Sequence, residues 1–274
     1  MLAGLVAAVA AAICYGIASV LQALGANAAA TTERVDPRLL VRVVRQGPFV
    51  AGLALDLCGF IAQLWALRVL PLFVVQAAIA GSLAVTAVVA VPLLSARLTA
   101  REWLAIIGVC AGLALLALSS ASESPRVPGP AFGFALLGAT ALLALLGVAV
   151  GGWRGRSDAA ALGAVAGLGF AIVALAARSL PDLSPAHLIR SPSLYALAAG
   201  GVVGFTTYAA GLQRGAVTTV TAALVVGETG VPAIVGVLLL GDRPRTGYVW
   251  AAVLGFALAV AAALELARFG EPAT

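Results

Sequence analysis

The most informative part of the chain is the stretch RVLPLFVVQAAIAGSLAVTAVVAVPLLSARL (68–98). Its pattern is repeated in a second stretch, QRGAVTTVTAALVVGETGVPAIVGVLLLGDRP (213–244). Each copy is one long apolar segment that ends in an Arg-bearing turn. With an offset of about 146 residues, Gly81 falls on Gly227 and Ser82 on Glu228. A repeated apolar unit of this size indicates an internally duplicated architecture.

The composition favours a membrane over water as the solvent of this chain. Of its 274 residues, 62% are hydrophobic and 10% are charged, whereas soluble domains carry about one quarter charged residues. The sixteen basic residues are all Arg and are scattered through short loops, so no nucleic-acid-binding patch is expected. The Ala, Arg and Gly bias is typical of a GC-rich bacterial genome and hence predicts a bacterial inner membrane protein.

The apolar segments predict an all-α polytopic membrane protein. A helix needs about 20 apolar residues to cross a bilayer. The hydropathy pattern predicts nine such spans, at 3–27, 48–68, 72–94, 101–120, 129–151, 158–178, 193–212, 216–239 and 247–267. The N-terminal segment is expected to be a retained first span. The loop 28–47 is expected to hold a short interfacial helix.

A Ser- and Pro-bearing stretch, SESPRVPGP, separates the fourth and fifth spans and predicts an extended linker. We therefore divide the chain into a first membrane half (1–121, spans 1–4), a linker (122–128), a second membrane half (129–268, spans 5–9) and a tail (269–274).

The loop arginines predict the orientation. We call the membrane face at which the N-terminus lies side A, and the opposite face side B. The predicted loops on side B carry ten arginines against six on side A, so the positive-inside rule places the N-terminus outside and the C-terminus inside. Five crossings separate the turns at Arg97 and Arg243, so the two repeat copies run in opposite directions. Inverted halves of this kind are typical of alternating-access transporters.

Two acids, Asp56 and Glu228, lie well inside predicted spans. Ionisable groups at bilayer depth are costly, so both are candidate binding residues and candidate metal ligands. Asp56 shares a helix face with Gly52, Gly59 and Gln63. The two glycines leave room either for a ligand or for the backbone of another helix.

Glu228 shares its helix face with Thr221. Gly227, Gly230 and Pro232 weaken the helix beside it, so we expect a broken helix whose freed carbonyls face a ligand.

Further polar residues inside spans are Tyr15 and Gln22, which share a face of the first span, and Gln76 in the third. With Gln63 and Thr221 they complete the candidate substrate- or ion-binding set. The alternative for the three glutamines is interhelical hydrogen bonding, worth about 1 kcal/mol each.

Charged residues near span ends are expected to be solvated at the membrane interface. They are Asp158, Arg178, Asp242 and Glu265.

No pattern of catalytic residues is recognisable, so the chain is not expected to be an enzyme or to hold a cofactor. Cys14, Cys58 and Cys110 stand alone in apolar stretches and are expected to be structural. There is no nucleophile elbow, and the absence of Lys excludes a P-loop.

Three stretches carry a family resemblance: 14–27, 47–112 and 156–180. They resemble the drug/metabolite transporter (DMT) superfamily, whose fold is EamA-like, and are most similar to the NIPA-like magnesium transporter family. The resemblance implies nine spans, an outside N-terminus, an acid near Asp56 and Mg²⁺ as cargo. One departure lies before the Arg-Leu-Thr turn, where Ala96 stands in place of the superfamily's usual acid and Asp242 occupies that position in the second copy.

These observations lead to three functional hypotheses. The first is a transporter that moves a small solute by alternating access, with Mg²⁺ or another divalent cation as the favoured cargo. The second is a proton-coupled metabolite or drug exporter, or a flippase for a lipid-linked sugar. The third is a non-transporting membrane subunit that binds a partner. The expected partners are the lipid bilayer and a small solute or cation. A second copy of the chain, forming a homodimer, is a further candidate partner.

Overall fold

The computed structural model describes residues 2–29, 46–94, 97–120, 128–152, 158–180, 184–214 and 217–267. In this part of the chain the secondary structure consists of α-helices joined by short turns, without strands. Its helices are α1 (Leu2–Ala29), α2 (Gly47–Ala66), α3 (Leu72–Ala80), α4 (Ser82–Leu94), α5 (Ala100–Ser119), α6 (Pro130–Gly152), α7 (Asp158–Arg178), α8 (Pro185–Arg190), α9 (Pro192–Leu212), α10 (Val217–Leu239) and α11 (Val249–Leu266).

Within the described ranges, nine helical segments are long and apolar enough to cross a membrane, with α3 and α4 together forming one of them. Their bounds agree with the predicted spans to within about two residues. The prediction of an all-helical, multi-pass architecture is therefore confirmed at this level. The predicted interfacial helix, most of the linker and the tail lie outside the described residues, as do several arginines on which the orientation rests.

Local sequence signals fix several helix ends. Helix α5 begins with a capping box, in which the Thr99 hydroxyl accepts the Glu102 N–H at 3.3 Å and the Glu102 carboxylate accepts the Thr99 N–H at 2.6 Å. Helices α2 and α9 begin with Pro in the first turn, where its missing N–H costs nothing. Gly81 separates α3 from α4, so the third span is bent where the repeat places its shared glycine.

Glycines bring the helices into backbone contact. A Cβ added at Gly163 of α7 would lie 2.5 Å from the Val220 carbonyl oxygen of α10, and one at Gly167 would lie even closer to that of Leu224. In the same way, a Cβ at Gly112 of α5 would meet the Gly255 carbonyl oxygen of α11 at 2.7 Å. Small residues thus let helices pack closely where no hydrophobic effect drives them together.

The helices form two similar clusters. In the first cluster α1 packs on α2 and on α3–α4; in the second α7 packs on α9 and α10. Helix α5 belongs to the first cluster and α11 to the second, and the clusters meet where α3 packs on α10 and where α11 packs on α5, α3 and α4. Helix α6 lies against α7 and α9. Because successive spans alternate in direction, the turns 67–71 and 240–248 and the short helix α8 share side A with the beginning of α1.

Candidate functional site

A cavity of about 350 Å³ lies between α1, α2, α3–α4, α7 and α10. Most of its lining is apolar. Its polar lining residues are Tyr15, Gln63, Ser82, Thr221, Glu228 and Thr229. The cavity therefore combines one carboxyl group with several neutral oxygens at the depth of the middle of the helices.

The structure brings four of the seven predicted site residues to this cavity. They are Tyr15, Gln63, Thr221 and Glu228. The other three, Asp56, Gln22 and Gln76, do not line it. Of the two acids inside the spans, Glu228 therefore lines the cavity and Asp56 lies outside its lining.

Hydrogen bonds between helices hold the polar lining in place. The Tyr15 hydroxyl donates to the Gln63 Oε1 at 2.7 Å, which joins α1 to α2. The hydroxyls of Thr221 and Tyr208 lie 3.2 Å apart and join α10 to α9. Sequence reasoning passed over Ser82 and Thr229 as lining residues, although the repeat aligns Ser82 with Glu228.

Asp56 forms a separate polar pair at the edge of the site. Its Oδ2 accepts a 2.5 Å hydrogen bond from the Gln22 amide of α1. A Cβ added at Gly52 would lie 2.9 Å from the Ala18 carbonyl oxygen, so the space beside the glycine is filled by the α1 backbone and not by a ligand. Gln63, seven residues further along α2 on the same helix face as Asp56, lines the cavity.

Helix α10 is continuous through Glu228, so the expected break in this helix is wrong. Pro232 lacks the N–H that would bond the Glu228 carbonyl in a regular helix. The Gln76 amide of α3 takes that place and donates to this carbonyl oxygen at 2.7 Å. The carbonyl that the sequence predicted to be free for a ligand is therefore occupied by a side chain from the other cluster.

A second polar group lies at the side A end of the bundle. The Arg178 guanidinium binds the Asp242 carboxylate at 2.8 Å, and both residues are almost fully buried, at 3% and 5% exposure. The expectation that these two residues are solvated at the interface is thus wrong. Glu265 is partly exposed and pairs with Arg101; the Asp158 side chain lies outside what the structure describes.

The Arg178–Asp242 pair also anchors the turn that precedes α3. Arg178 donates to the carbonyl of Leu70 at 2.6 Å and to that of Leu67, and Asp242 accepts the Leu72 N–H at 2.6 Å. Burial raises the pKa of the Asp242 carboxyl, while Arg178 and the Leu72 N–H oppose this shift by favouring the charged form. The sequence held one signal for this group, since the repeat places Asp242 of the second copy at the position of Ala96 in the first.

The described residues contain no group of three or more His, Cys, Asp or Glu side chains arranged to hold a metal ion. An ion in the cavity would meet one carboxylate, that of Glu228. Metal binding by Asp56 and Glu228 together stays a prediction.

The described chain has the architecture of a multi-pass helical membrane protein with a mostly apolar cavity inside the bundle that contains one carboxyl group. No family model matches the sequence, and comparison with curated proteins and with solved structures likewise found no match. The resemblance to the DMT superfamily therefore stays a prediction from the sequence.

Proposed function

We propose that this protein is a membrane transporter that carries a small cation through the central cavity by alternating access, with Mg²⁺ as the favoured cargo. The observation that carries the proposal is the placement of Glu228. It supplies the cavity's only carboxyl group among the described lining residues. A charge-bearing group at this depth is costly and is typically retained for a substrate or ion pathway.

The chemistry of the lining suits a hydrated divalent cation. Mg²⁺ prefers oxygen ligands, keeps several of its waters and uses one or two carboxylates. Tyr15, Ser82 and Thr221 add neutral oxygens around Glu228. Six waters at about 30 Å³ each occupy roughly 180 Å³, which fits within the cavity of about 350 Å³.

The packing of the helices supports two inverted halves. In the cluster of α1, α2 and α3–α4 the helix α1 packs on the other two spans, as α7 does in the cluster of α7, α9 and α10. The equivalent spans, α3–α4 and α10, run in opposite directions and pack on each other at the centre. Halves related in this way can rock about a central site and expose it to each side in turn.

The second candidate is a proton-coupled exporter of a small metabolite. It draws support from the mostly apolar lining around one carboxyl group. In this mechanism the Glu228 carboxyl binds a proton and the substrate alternately, as buried acids do in proton relays.

Flux into proteoliposomes tests the proposal. The purified protein is reconstituted around a Mg²⁺-sensitive dye, and Mg²⁺ is added outside with and without a proton gradient. We expect Mg²⁺ to enter faster than into protein-free liposomes, and thermal unfolding in detergent to shift upward with Mg²⁺. The magnesium proposal fails if no divalent cation moves and none stabilises the protein; proton movement that depends on an organic substrate would support the exporter.

A further inference from the structure

The two clusters are connected by polar groups at side A. Arg178 belongs to the second cluster, and its guanidinium donates to the Leu67 and Leu70 carbonyls of the first. Asp242 follows α10, and its carboxylate accepts the N–H of Leu72, the first residue of α3. Both carboxylate oxygens of Asp242 are therefore used, one by Arg178 and one by the opposite half.

The connection is buried but not fully satisfied. Arg178 is 3% exposed, and its Nε has no hydrogen-bond partner among the described residues. A buried ion pair is often no more stabilising than apolar side chains of similar volume, because both charges lose their hydration. A buried ion pair differs from a contact of apolar side chains in one respect: both ions regain hydration when the contact opens to water. A buried pair therefore suits a contact that must form and break.

The pair lies at the side A end of the cavity. From Asp242, helix α3 leads through Leu72 and Gln76 to Ile79 and Ala80, which line the cavity. Toward side B the lining continues to Thr221, about one turn from the beginning of α10.

A further polar contact between the clusters lies at side A, where the Arg245 N–H donates to the Ser119 carbonyl at 2.8 Å. At side B, the described residues include the Arg101–Glu265 ion pair, whose Arg side chain is 80% exposed. At side A the two clusters are therefore joined by the buried Arg178–Asp242 group and by this backbone contact.

We propose that Arg178 and Asp242 form a latch that closes the central cavity toward side A and that separates during each transport cycle. This inference rests on the proposed function. With the orientation that the loop arginines predict, side A is the outside, so the structure represents the form closed to the outside.

Accessibility of a cavity residue to a thiol reagent tests the latch without any cargo. Ser82 is changed to Cys in a background in which Cys14, Cys58 and Cys110 are Ala, and a membrane-impermeant charged methanethiosulfonate is applied from either side of reconstituted vesicles. We expect labelling from side B and little from side A. Asp242→Asn removes the charge but keeps an acceptor for Leu72, and should raise the side A labelling rate about tenfold, a shift of about 1.4 kcal/mol between the two forms.

A second variant disturbs the latch without changing charge. A Cβ at Gly236 would lie 2.6 Å from the Asp242 Oδ2, so Gly236→Ala should also raise side A labelling. Arg101→Gln, which breaks the exposed pair at side B, should leave it unchanged. The latch is overturned if the parent is labelled equally fast from side A and from side B. It is also overturned if Asp242→Asn and Gly236→Ala are both labelled from side A at the same rate as the parent. Labelling needs no transport. If the labelling rates are as expected but no Mg²⁺ flux is measured, the proposed cargo is rejected and the latch is retained.

Discussion

Gln76 and Glu228 are joined across the two clusters by a 2.7 Å hydrogen bond from the Gln76 amide to the Glu228 backbone carbonyl. The bond exists because Pro232, four residues after Glu228, has no N–H to offer. Gln76 is 1% exposed, and its Oε1 has no partner among the described residues. One buried amide thus fixes the helix turn that carries the cavity's carboxyl group.

Gln76→Leu should destabilise the protein because it leaves the Glu228 carbonyl without a donor. We expect a loss of about 1 kcal/mol in the free energy of unfolding, as for other interhelical hydrogen bonds in membranes. Denaturation in mild detergent measures this change.

Pro232→Ala provides the control for that prediction, since Ala restores an N–H to the helix. In the Pro232→Ala background, Gln76→Leu should cost little, so the double-mutant cycle shows coupling. Additive effects of the two changes would mean that Gln76 does not replace the missing helical donor.

Arg178→Gln should destabilise the protein strongly, because it leaves the Asp242 carboxylate buried without its ion-pair partner. Loss of one member of a buried pair costs about 3–5 kcal/mol. Arg101→Gln is the matched control; its pair with Glu265 is largely exposed, so we expect a loss below about 1 kcal/mol. Equal melting temperatures for the two variants would contradict the burial of Arg178.

Gly167→Ala should disrupt the packing of α7 on α10, because the added methyl group meets the Leu224 backbone, which cannot move aside as a side chain would. Overpacking of this kind costs about 1–3 kcal/mol. Gly138→Ala in α6 has nothing within 4 Å of its added Cβ and should be neutral or stabilising by up to about 1 kcal/mol. A Gly167→Ala variant as stable as the parent would show that the two backbones are further apart.

The sequence predicted the helices well because bilayer thickness dictates how long an apolar segment must be. The repeat also aligned Ser82 with Glu228, and both residues line the cavity. In contrast, the contacts of the polar residues depend on which helices meet, and no spacing within one helix reveals that. The glycines beside Asp56 show this limit, because the same pattern fits a ligand or the neighbouring backbone of α1.

The two errors at the site have the same origin. Pro232 predicted a broken helix, but Gln76 from another helix satisfies the carbonyl that it frees. Arg178 and Asp242 were expected to be solvated because each lies near the end of a span, but the turn 67–72 covers them and supplies their partners. In both cases a tertiary contact with a residue distant in sequence overrides the expectation that was based on neighbouring residues alone.

Asp56 should influence transport indirectly, since it lies outside the cavity lining but shares a face of α2 with Gln63, which lines the cavity. Asp56→Asn keeps a hydrogen-bond acceptor for Gln22 and removes the charge. We expect the Mg²⁺ concentration for half-maximal flux to rise severalfold with the maximal rate preserved. Loss of the maximal rate would instead place Asp56 among the groups that bind cargo directly.

The most direct test of cargo binding by Glu228 is Mg²⁺ flux into proteoliposomes, measured for Glu228→Gln and for Glu265→Gln. Both variants replace one carboxyl group by an amide of the same shape, but only Glu228 lines the cavity. We expect Glu228→Gln to reduce flux to the level of protein-free liposomes and Glu265→Gln to transport like the parent. Parental flux in Glu228→Gln, with the protein folded and monodisperse, would contradict cargo binding by Glu228.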